Sequence, residues 1–181
     1  RQHEDEEGKN TLRIYEAIEA LNEDRLKIAF VAEFSRGKTE LINSIFFADY
    51  KRRLLPSEVG RTTMCPTELF YDIKAGEAYI RLLPIETRLH DTSIAEYKQN
   101  PIEWTNIPLE IDDPDQMQKM LHEVVSTKMV NIDVATELGL YSKEMYPLKK
   151  GEEPPTEIEI PTWRHALISF PHPLLKQGLV V

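Results

Sequence analysis

The residues with the clearest chemical potential lie in the stretch VAEFSRGKT, residues 31–39. In the pattern G-x-x-x-x-G-K-[S/T], backbone N–H groups surround phosphate oxygens, the lysine contacts the β- and γ-phosphates, and the hydroxyl binds Mg²⁺. Gly37, Lys38 and Thr39 keep the second half of this pattern, whereas Ala32 replaces its first glycine. A residue at the end of a strand can remain in an ordinary β conformation, so alanine is tolerated there. We therefore expect this loop to bind phosphate.

Elements of the right type flank this loop. Residues 26–31, LKIAFV, form a nearly continuous apolar run, which is typical of a strand buried on both faces of a mostly parallel sheet. After the loop, apolar residues recur at helical spacing and predict one buried helix face, formed by Leu41, Ile42, Ile45 and Phe46. The order strand, loop, helix is the one that phosphate binding requires. The alternative is an ordinary turn between a strand and a helix, with a solvated lysine.

The composition favours one α/β domain. The 181 residues are 41% hydrophobic, enough for one core, and the net charge of −9 is against a broad nucleic-acid or anionic-lipid surface. Because Cys65 is the one cysteine, we expect neither an internal disulfide nor a zinc site, which fits the cytosol. No run of about eighteen apolar residues predicts a membrane span. The chain lacks an initiator Met and stops abruptly, so we expect a fragment of a longer protein.

Three further segments before residue 90 have recognisable patterns. Residues 1–25 contain an amphipathic helix, whose apolar stripe packs either on its own domain or in a helical bundle outside this chain. Residues 51–65 include Pro56 and Gly60, lack periodicity and predict a long mobile loop. The β-rich runs TELFYDI and EAYIRLL flank a short turn at 74–76 and predict an antiparallel hairpin.

The region from about 90 to 160 has a different character, and we interpret it as an insertion. Prolines interrupt it, but one clear helix begins with Asp113 as its N-cap and Pro114 in its first turn. A second short helix is predicted over 132–138 and ends at Gly139. Beyond the insertion, HALISF and GLVV are strand candidates.

Two stretches, FVAEFSRGKTELINSIF and LLPSEVGRTTMCPTEL, resemble the G domain of bacterial dynamin-like GTPases. In that family a hydrophobic strand leads into a loop similar to G-E-F-S-R-G-K-S, and a leucine-proline element, a threonine-rich switch and a proline follow. The later stretch ISFPHPLLKQGLVV resembles the strand, proline turn and strand that lead to the family's Asp-Thr-Pro-Gly motif. The resemblance is strong over 26–69, moderate over 166–181 and weak across the insertion.

This resemblance implies an incomplete P-loop NTPase fold of the α/β class, a dynamin-type G domain with a mixed sheet and flanking helices. Residues 26–181 would form this partial domain. It would contain the phosphate loop at 32–39, a switch I-like loop at 54–66 and an inserted helical and irregular segment at about 90–160. The family's Asp-x-x-Gly motif and its base-reading T/N-K-x-D motif would follow residue 181.

The resemblance also implies roles for individual residues. Thr63 aligns with the switch I threonine that closes over Mg²⁺ and the γ-phosphate, and Thr62 is the adjacent alternative. Lys38, Thr63 and Ser35 would be catalytic, while Thr39 and Thr63 would bind Mg²⁺. The nucleotide-binding residues would be Ala32, Glu33, Phe34, Ser35, Arg36, Gly37, Lys38, Thr39 and Glu40.

Two loop residues need a separate comment. Phe34 replaces the glutamine of eukaryotic dynamins, so it cannot order a water molecule with its side chain. Arg36 could contact a second G domain, but we favour a structural or surface role, because an arginine finger needs a position that spacing alone does not show.

The expected function is GTP binding and hydrolysis, with GTP or GDP and Mg²⁺ as cofactors. The resemblance implies self-assembly through G domains in the full-length protein and, for part of the family, membrane remodelling. We expect a cytoplasmic protein without a direct nucleic-acid partner. The resemblance adds the periphery of the inner membrane as a second location. One alternative is a nucleotide-gated scaffold with slow hydrolysis, and another is a P-loop protein that uses ATP. The fragment alone is expected to be inactive, since it lacks the Asp-x-x-Gly and base-reading motifs.

Overall fold

The computed structural model describes residues 25–30, 37–56, 65–142 and 155–181. Their fold is mixed α/β with a mixed sheet, as the sequence predicts, and it is compatible with part of a P-loop G domain. The predicted helix of residues 1–25 lies almost entirely outside the described residues. So do residues 31–36 of the phosphate loop and residues 57–64 of the switch-like loop.

The strands, in chain order, are β1 Leu26–Lys27, β2 Thr67–Phe70, β3 Tyr79–Pro84, β4 Thr105–Pro108, β5 Thr127–Asn131, β6 Glu157–Pro161, β7 Trp163–Ser169 and β8 Leu179–Val180. The α-helices are α1 Lys38–Phe46, α2 Ile94–Gln99, α3 Pro114–His122, α4 Ile132–Glu137 and α5 Pro173–Lys176. Short 3₁₀ turns lie at Ala48–Tyr50, Ile85–Leu89, Pro101–Glu103 and Glu123–Val125.

The main sheet has the order β2-β7-β3-β4, with β2 parallel to β7 and the other neighbours antiparallel. β1 pairs with β8 in parallel. Leu69 of β2 and Val181 exchange hydrogen bonds, with N···O distances of 2.7 and 2.9 Å. These two bonds join the β1-β8 pair to the main sheet, so β8 lies between β1 and β2. β5 and β6 form a separate antiparallel ribbon.

The predicted hairpin is wrong. β2 and β3 do not pair with each other, because β7 lies between them. At the end of β7, the fully buried Ser169 hydroxyl accepts from Asp72 N–H (3.1 Å) and donates to the Glu77 carbonyl (2.8 Å). The turn after β2 is therefore present, but its two ends bond to Ser169 rather than bring the two strands together.

The predicted face of α1 is also partly wrong. Phe46 is buried, but Leu41 and Ile45 are 46% and 38% exposed, and Asn43 is buried in their place at 6%. Asn43 faces inward because backbone groups of the next segment need hydrogen-bond partners there. A hydrophobic pattern alone does not contain that information.

The predicted helices of the inserted region are present. α3 begins after Asp113, whose Oδ1 accepts from the backbone N–H groups of Asp115 and Gln116 at 3.0 Å. α4 is followed by Gly139, which has φ 67°. The same region also supplies strands that the sequence reasoning missed: β4 forms an edge of the main sheet, and β5 pairs with β6.

β1 is not the doubly buried strand that the sequence predicts, because Leu26 and Ile28 are 64% and 42% exposed. The central strands of the sheet are covered on both faces. On one face, α1 and α3 pack over a core that includes Phe47, Leu82, Leu121 and Ile168. On the other face, Tyr97 of α2 packs with other buried residues, which are Leu83, Trp104 and Leu167. A third group, the satellite cluster, lies between the β5-β6 ribbon and α4 and consists of Ile85, Ala135, Leu138, Tyr141 and Ile160. Within the described ranges, no helix has the length and apolar character that crossing a membrane requires.

Candidate functional site

The helix that follows the predicted phosphate loop begins after a left-handed residue. Gly37, the N-cap of α1, has φ 81° and ψ 14°, and its carbonyl accepts from Leu41 N–H at 3.0 Å. A Cβ added here would meet no atom within 4 Å, so the backbone angle, and not lack of space, favours glycine. The helix N-terminus presents N–H groups and the positive end of the helix dipole where phosphate is expected.

A cavity of about 590 Å³ lies beside this helix N-terminus, a size suited to a small-molecule ligand. Lys38 and Thr39 line it together with residues 28–30 at the end of β1. Residues 55–56 and 65–66, which flank the predicted switch loop, line it as well. The structure therefore brings Lys38 and Thr39 into one cavity with both ends of that loop.

Asn43 of α1 connects the helix to the chain that leads into the predicted switch loop. Its Oδ1 accepts from the N–H groups of Leu54 (3.2 Å) and Leu55 (2.9 Å), and its Nδ2 donates to the Leu55 carbonyl (3.0 Å). The side chain is buried, so these three bonds satisfy most of an amide that would otherwise be costly to remove from water.

Residues 51–56 form neither helix nor strand, as the sequence predicts, but they contact the neighbouring helices. Arg52 pairs with Asp115 of α3 at 2.5 Å, and Arg53 Nε lies 3.1 Å from Glu40 Oε1. The Arg53 carbonyl accepts from Gln118 Nε2 at 2.9 Å. The two arginines thus connect this segment to α1 and α3, because carboxylates on these helices are within reach.

A charged cluster of Glu68, His165 and Lys98 lines another side of the same cavity. Lys98 Nζ of α2 donates to Glu68 Oε1 at 2.5 Å, and His165 Nε2 of β7 donates to the same oxygen at 3.0 Å. Burial raises the pKa of the Glu68 carboxyl, but the hydrogen bonds from His165 and Lys98 lower it further, so that the pKa falls to about 2. Glu68 is therefore ionised near neutral pH and balances positive charge in the cluster.

Cys65 borders the predicted switch loop but is not suited to nucleophilic chemistry. Its side chain is 2% exposed, and burial raises the pKa of the thiol to about 12. Since the thiolate is the reactive form, the buried neutral thiol behaves as a small apolar side chain.

The sequence-predicted site residues divide into two groups. Gly37, Lys38, Thr39 and Glu40 are described, and of these Lys38 and Thr39 line the cavity, while the Glu40 carboxylate faces Arg53. The other predicted residues lie outside the described parts of the chain, and their roles stay predictions; they are Ala32, Glu33, Phe34, Ser35, Arg36, Thr62 and Thr63.

Sequence reasoning missed Asn43 and the charged cluster. Asn43 had a visible signal, because it is the polar residue within the apolar run LINSIF. The charged cluster had no such signal in the sequence, because its residues come from three elements that only the fold brings together; they are Glu68, His165 and Lys98. Among the described residues, no three His, Cys, Asp or Glu side chains form a group that could hold a metal ion.

Comparison with known proteins gives one partial similarity. No family model matches the chain. The chain is 32% identical over 78 residues to Transmembrane GTPase Marf of Drosophila melanogaster. The aligned part covers 43% of this chain but 9% of that relative. The similarity supports a relationship with dynamin-like GTPases at most, and it does not bear on a bacterial origin.

Proposed function

We propose that this chain is part of the G domain of a dynamin-like GTPase, which binds and hydrolyses GTP. The observation that carries the proposal is the left-handed Gly37 at the start of α1, which leaves Lys38 and Thr39 lining a cavity beside the end of β1. The partial similarity to a GTPase supports the same class of function. We further propose that hydrolysis is coupled to self-assembly, in the cytoplasm or at the surface of a membrane.

The proposed chemistry is phosphoryl transfer to water, in which positioning and charge neutralisation supply most of the catalysis. Lys38 would neutralise the β- and γ-phosphates, and the N–H groups at the start of α1 would bind phosphate oxygens. Ser35 and Arg36 would shape the loop, and the backbone carbonyl of Thr63 would orient the attacking water. Bound Mg²⁺ would add charge neutralisation, with the hydroxyls of Thr39 and Thr63 as ligands, and Thr39 fits this role because it lines the cavity beside Lys38.

Two measurements on the full-length protein test the proposal: isothermal titration with GTP, GDP and ATP, and competition of labelled GTP by excess ATP. We expect GTP and GDP to bind in the titration, and we expect excess ATP to leave the labelled GTP bound. If ATP displaces GTP with equal affinity, the protein is a P-loop protein of broader or adenine specificity. If none of the three binds, residues 31–39 form an ordinary turn between a strand and a helix.

The position of the switch threonine is tested separately. In the full-length protein, Thr63→Ala should leave GDP affinity nearly unchanged and reduce GTP hydrolysis, since switch contacts depend on the γ-phosphate. Thr62→Ala is the matched control and should be the milder change. If Thr62→Ala is the more severe of the two, the assignment is wrong by one residue.

A further inference from the structure

The buried amide of Asn43 contacts two parts of the chain that a GTPase must coordinate. It belongs to α1, the helix that begins with Lys38 and Thr39. Its three hydrogen bonds all go to the backbone of Leu54 and Leu55, just before the predicted switch loop. Leu55 also lines the cavity, so the bonded backbone is itself a wall of the candidate site.

The geometry of these bonds restricts the backbone in more than one direction. The Asn43 Oδ1 atom accepts from two successive N–H groups, while Nδ2 binds the carbonyl of the second residue. A single bond would leave the peptide plane free to rotate, but three bonds to adjacent groups fix its position and its orientation relative to α1.

Other contacts hold the rest of this segment in place. Leu54 is fully buried, the Tyr50 hydroxyl donates to the Ile111 carbonyl at 3.1 Å, and Gln118 binds the Arg53 carbonyl. Loss of the Asn43 amide should therefore leave the segment attached to the domain. What it removes is the set of bonds from α1 to the backbone of Leu54 and Leu55, while the ion pair between Arg53 and Glu40 of α1 remains.

We propose that Asn43 is a positioning residue that fixes the start of the switch loop relative to Lys38 and Thr39. The proposal rests on the proposed GTPase function and adds a residue to it. In the free and diphosphate-bound protein, the amide determines where residue 55 leaves the core. In the triphosphate-bound protein, the same bonds hold Leu55, a wall of the candidate site, in a fixed position while the proposed hydrolysis takes place.

The test compares Asn43→Leu and Asn43→Asp with the wild-type full-length protein. Leucine has a similar size and removes all three bonds, whereas aspartate keeps the acceptor for the two N–H groups and loses the donor. For Asn43→Leu we expect kcat for GTP hydrolysis to fall about tenfold or more, while the Kd for GDP changes by less than about threefold. The kcat of Asn43→Asp should lie between that of the wild type and that of Asn43→Leu. Backbone hydrogen exchange at Leu54 and Leu55 should become faster in Asn43→Leu.

A control separates positioning from general loss of stability. Ile160 lies in the satellite cluster, is 1% exposed and does not line the candidate site, so Ile160→Ala should leave a void in the core and lower the midpoint of thermal unfolding. We expect Ile160→Ala to keep the wild-type kcat at a temperature where both variants are folded. If it loses as much kcat as Asn43→Leu, or if Asn43→Leu keeps its kcat, the proposal is wrong.

Three further outcomes are decisive. If Asn43→Leu does not fold, Asn43→Asp answers the question, and an unchanged kcat in that variant overturns the proposal. If kcat and GDP affinity fall together, Asn43 stabilises the whole site and does not position the switch. If the wild-type protein binds no nucleotide, the proposed function itself fails and the role of Asn43 fails with it.

Discussion

Two sides of the same cavity are constructed in different ways. On the helix side, Gly37, Lys38 and Thr39 are consecutive, and the backbone conformation of Gly37 sets the start of α1. On the charged side, Glu68, His165 and Lys98 come from β2, β7 and α2 and pair with one another. The helix side offers backbone N–H groups and a lysine to an anion. On the charged side, the Glu68 carboxylate already balances the positive charge of its partners, so we do not expect this side of the cavity to attract phosphate.

The difference teaches that positive residues beside a cavity are not equivalent. Lys38 and Lys98 both line it, but Lys38 follows Gly37 at the N-terminus of α1, whereas Lys98 donates to a carboxylate whose pKa is lowered to about 2. Lys98 links α2 to β2 through this ion pair. This assignment leads to three predictions, in order of decreasing effect.

The largest effect is expected for Lys38→Ala in the full-length protein. It should weaken nucleotide binding by about 100-fold or more, because a charge-assisted contact to phosphate is lost. Lys98→Ala on the charged side should change the affinity by less than about threefold. Isothermal titration measures both. Equal losses would mean that both sides bind the phosphates.

An intermediate effect is expected for Glu68→Gln on the charged side. At about pH 7 it should lower the free energy of unfolding by about 1–2 kcal/mol, since His165 and Lys98 lose their charged acceptor at a partly exposed site. The pKa of Glu68 is depressed in the folded state, so this stabilisation is present above its unfolded value of 4.5 and disappears as the pH falls toward about 2.

Urea unfolding at several pH values between about 7 and 3 checks this prediction. The free energies of unfolding of the wild type and Glu68→Gln should differ most at the upper end, and the difference should become smaller toward the lower end. Glu103→Gln, a change of an exposed glutamate in the 3₁₀ turn after α2, is the matched control and should have little effect. A constant difference across this range would show that shape, and not charge, accounts for the effect of Glu68.

The smallest effect on stability is expected for Gly37→Ala. Its φ of 81° lies in the left-handed region, where alanine costs about 1 kcal/mol. Gly76 has φ 68° and is equally open around its Cβ position, so Gly76→Ala should lose similar stability by thermal unfolding. Only Gly37→Ala should also weaken nucleotide binding. If both leave the affinity unchanged, the turn at the start of α1 does not present N–H groups to phosphate.

Local sequence signals predicted local structure well. Asp113 and Pro114 predicted the start of α3, and Gly139 predicted the end of α4, because caps depend on a few neighbouring residues. The placement of Lys38 and Thr39 beside the end of β1 followed from the order strand, loop, helix. The roles of residues 32–36 and of Thr63 stay predictions.

Signals that depend on distant neighbours failed. The hairpin prediction used only the residues of β2, β3 and the turn between them. These residues do not show that β7, which comes far later in the chain, lies between the two strands. The helical spacing of apolar residues also predicts that Leu41 and Ile45 are buried, because spacing alone does not show which face of α1 meets the rest of the chain. The inward direction of α1 is set by Asn43 and its bonds to residues 54–55, which are specific contacts and not a periodic pattern.

The pairing of β1 with β8 has a consequence for the order of folding. The end of β1 lines the cavity with Lys38 and Thr39, yet the neighbour of β1 in the sheet is Leu179–Val180, about 150 residues later in the chain. Closing so long a loop is entropically unfavourable and slow compared with forming the local α3 and α4 turns. On the ribosome, β1 must therefore remain without this partner until residues 179–180 have left the exit tunnel. The candidate site is therefore expected to assemble only after β8 is available, although residues 37–39 are synthesised well before residues 179–180.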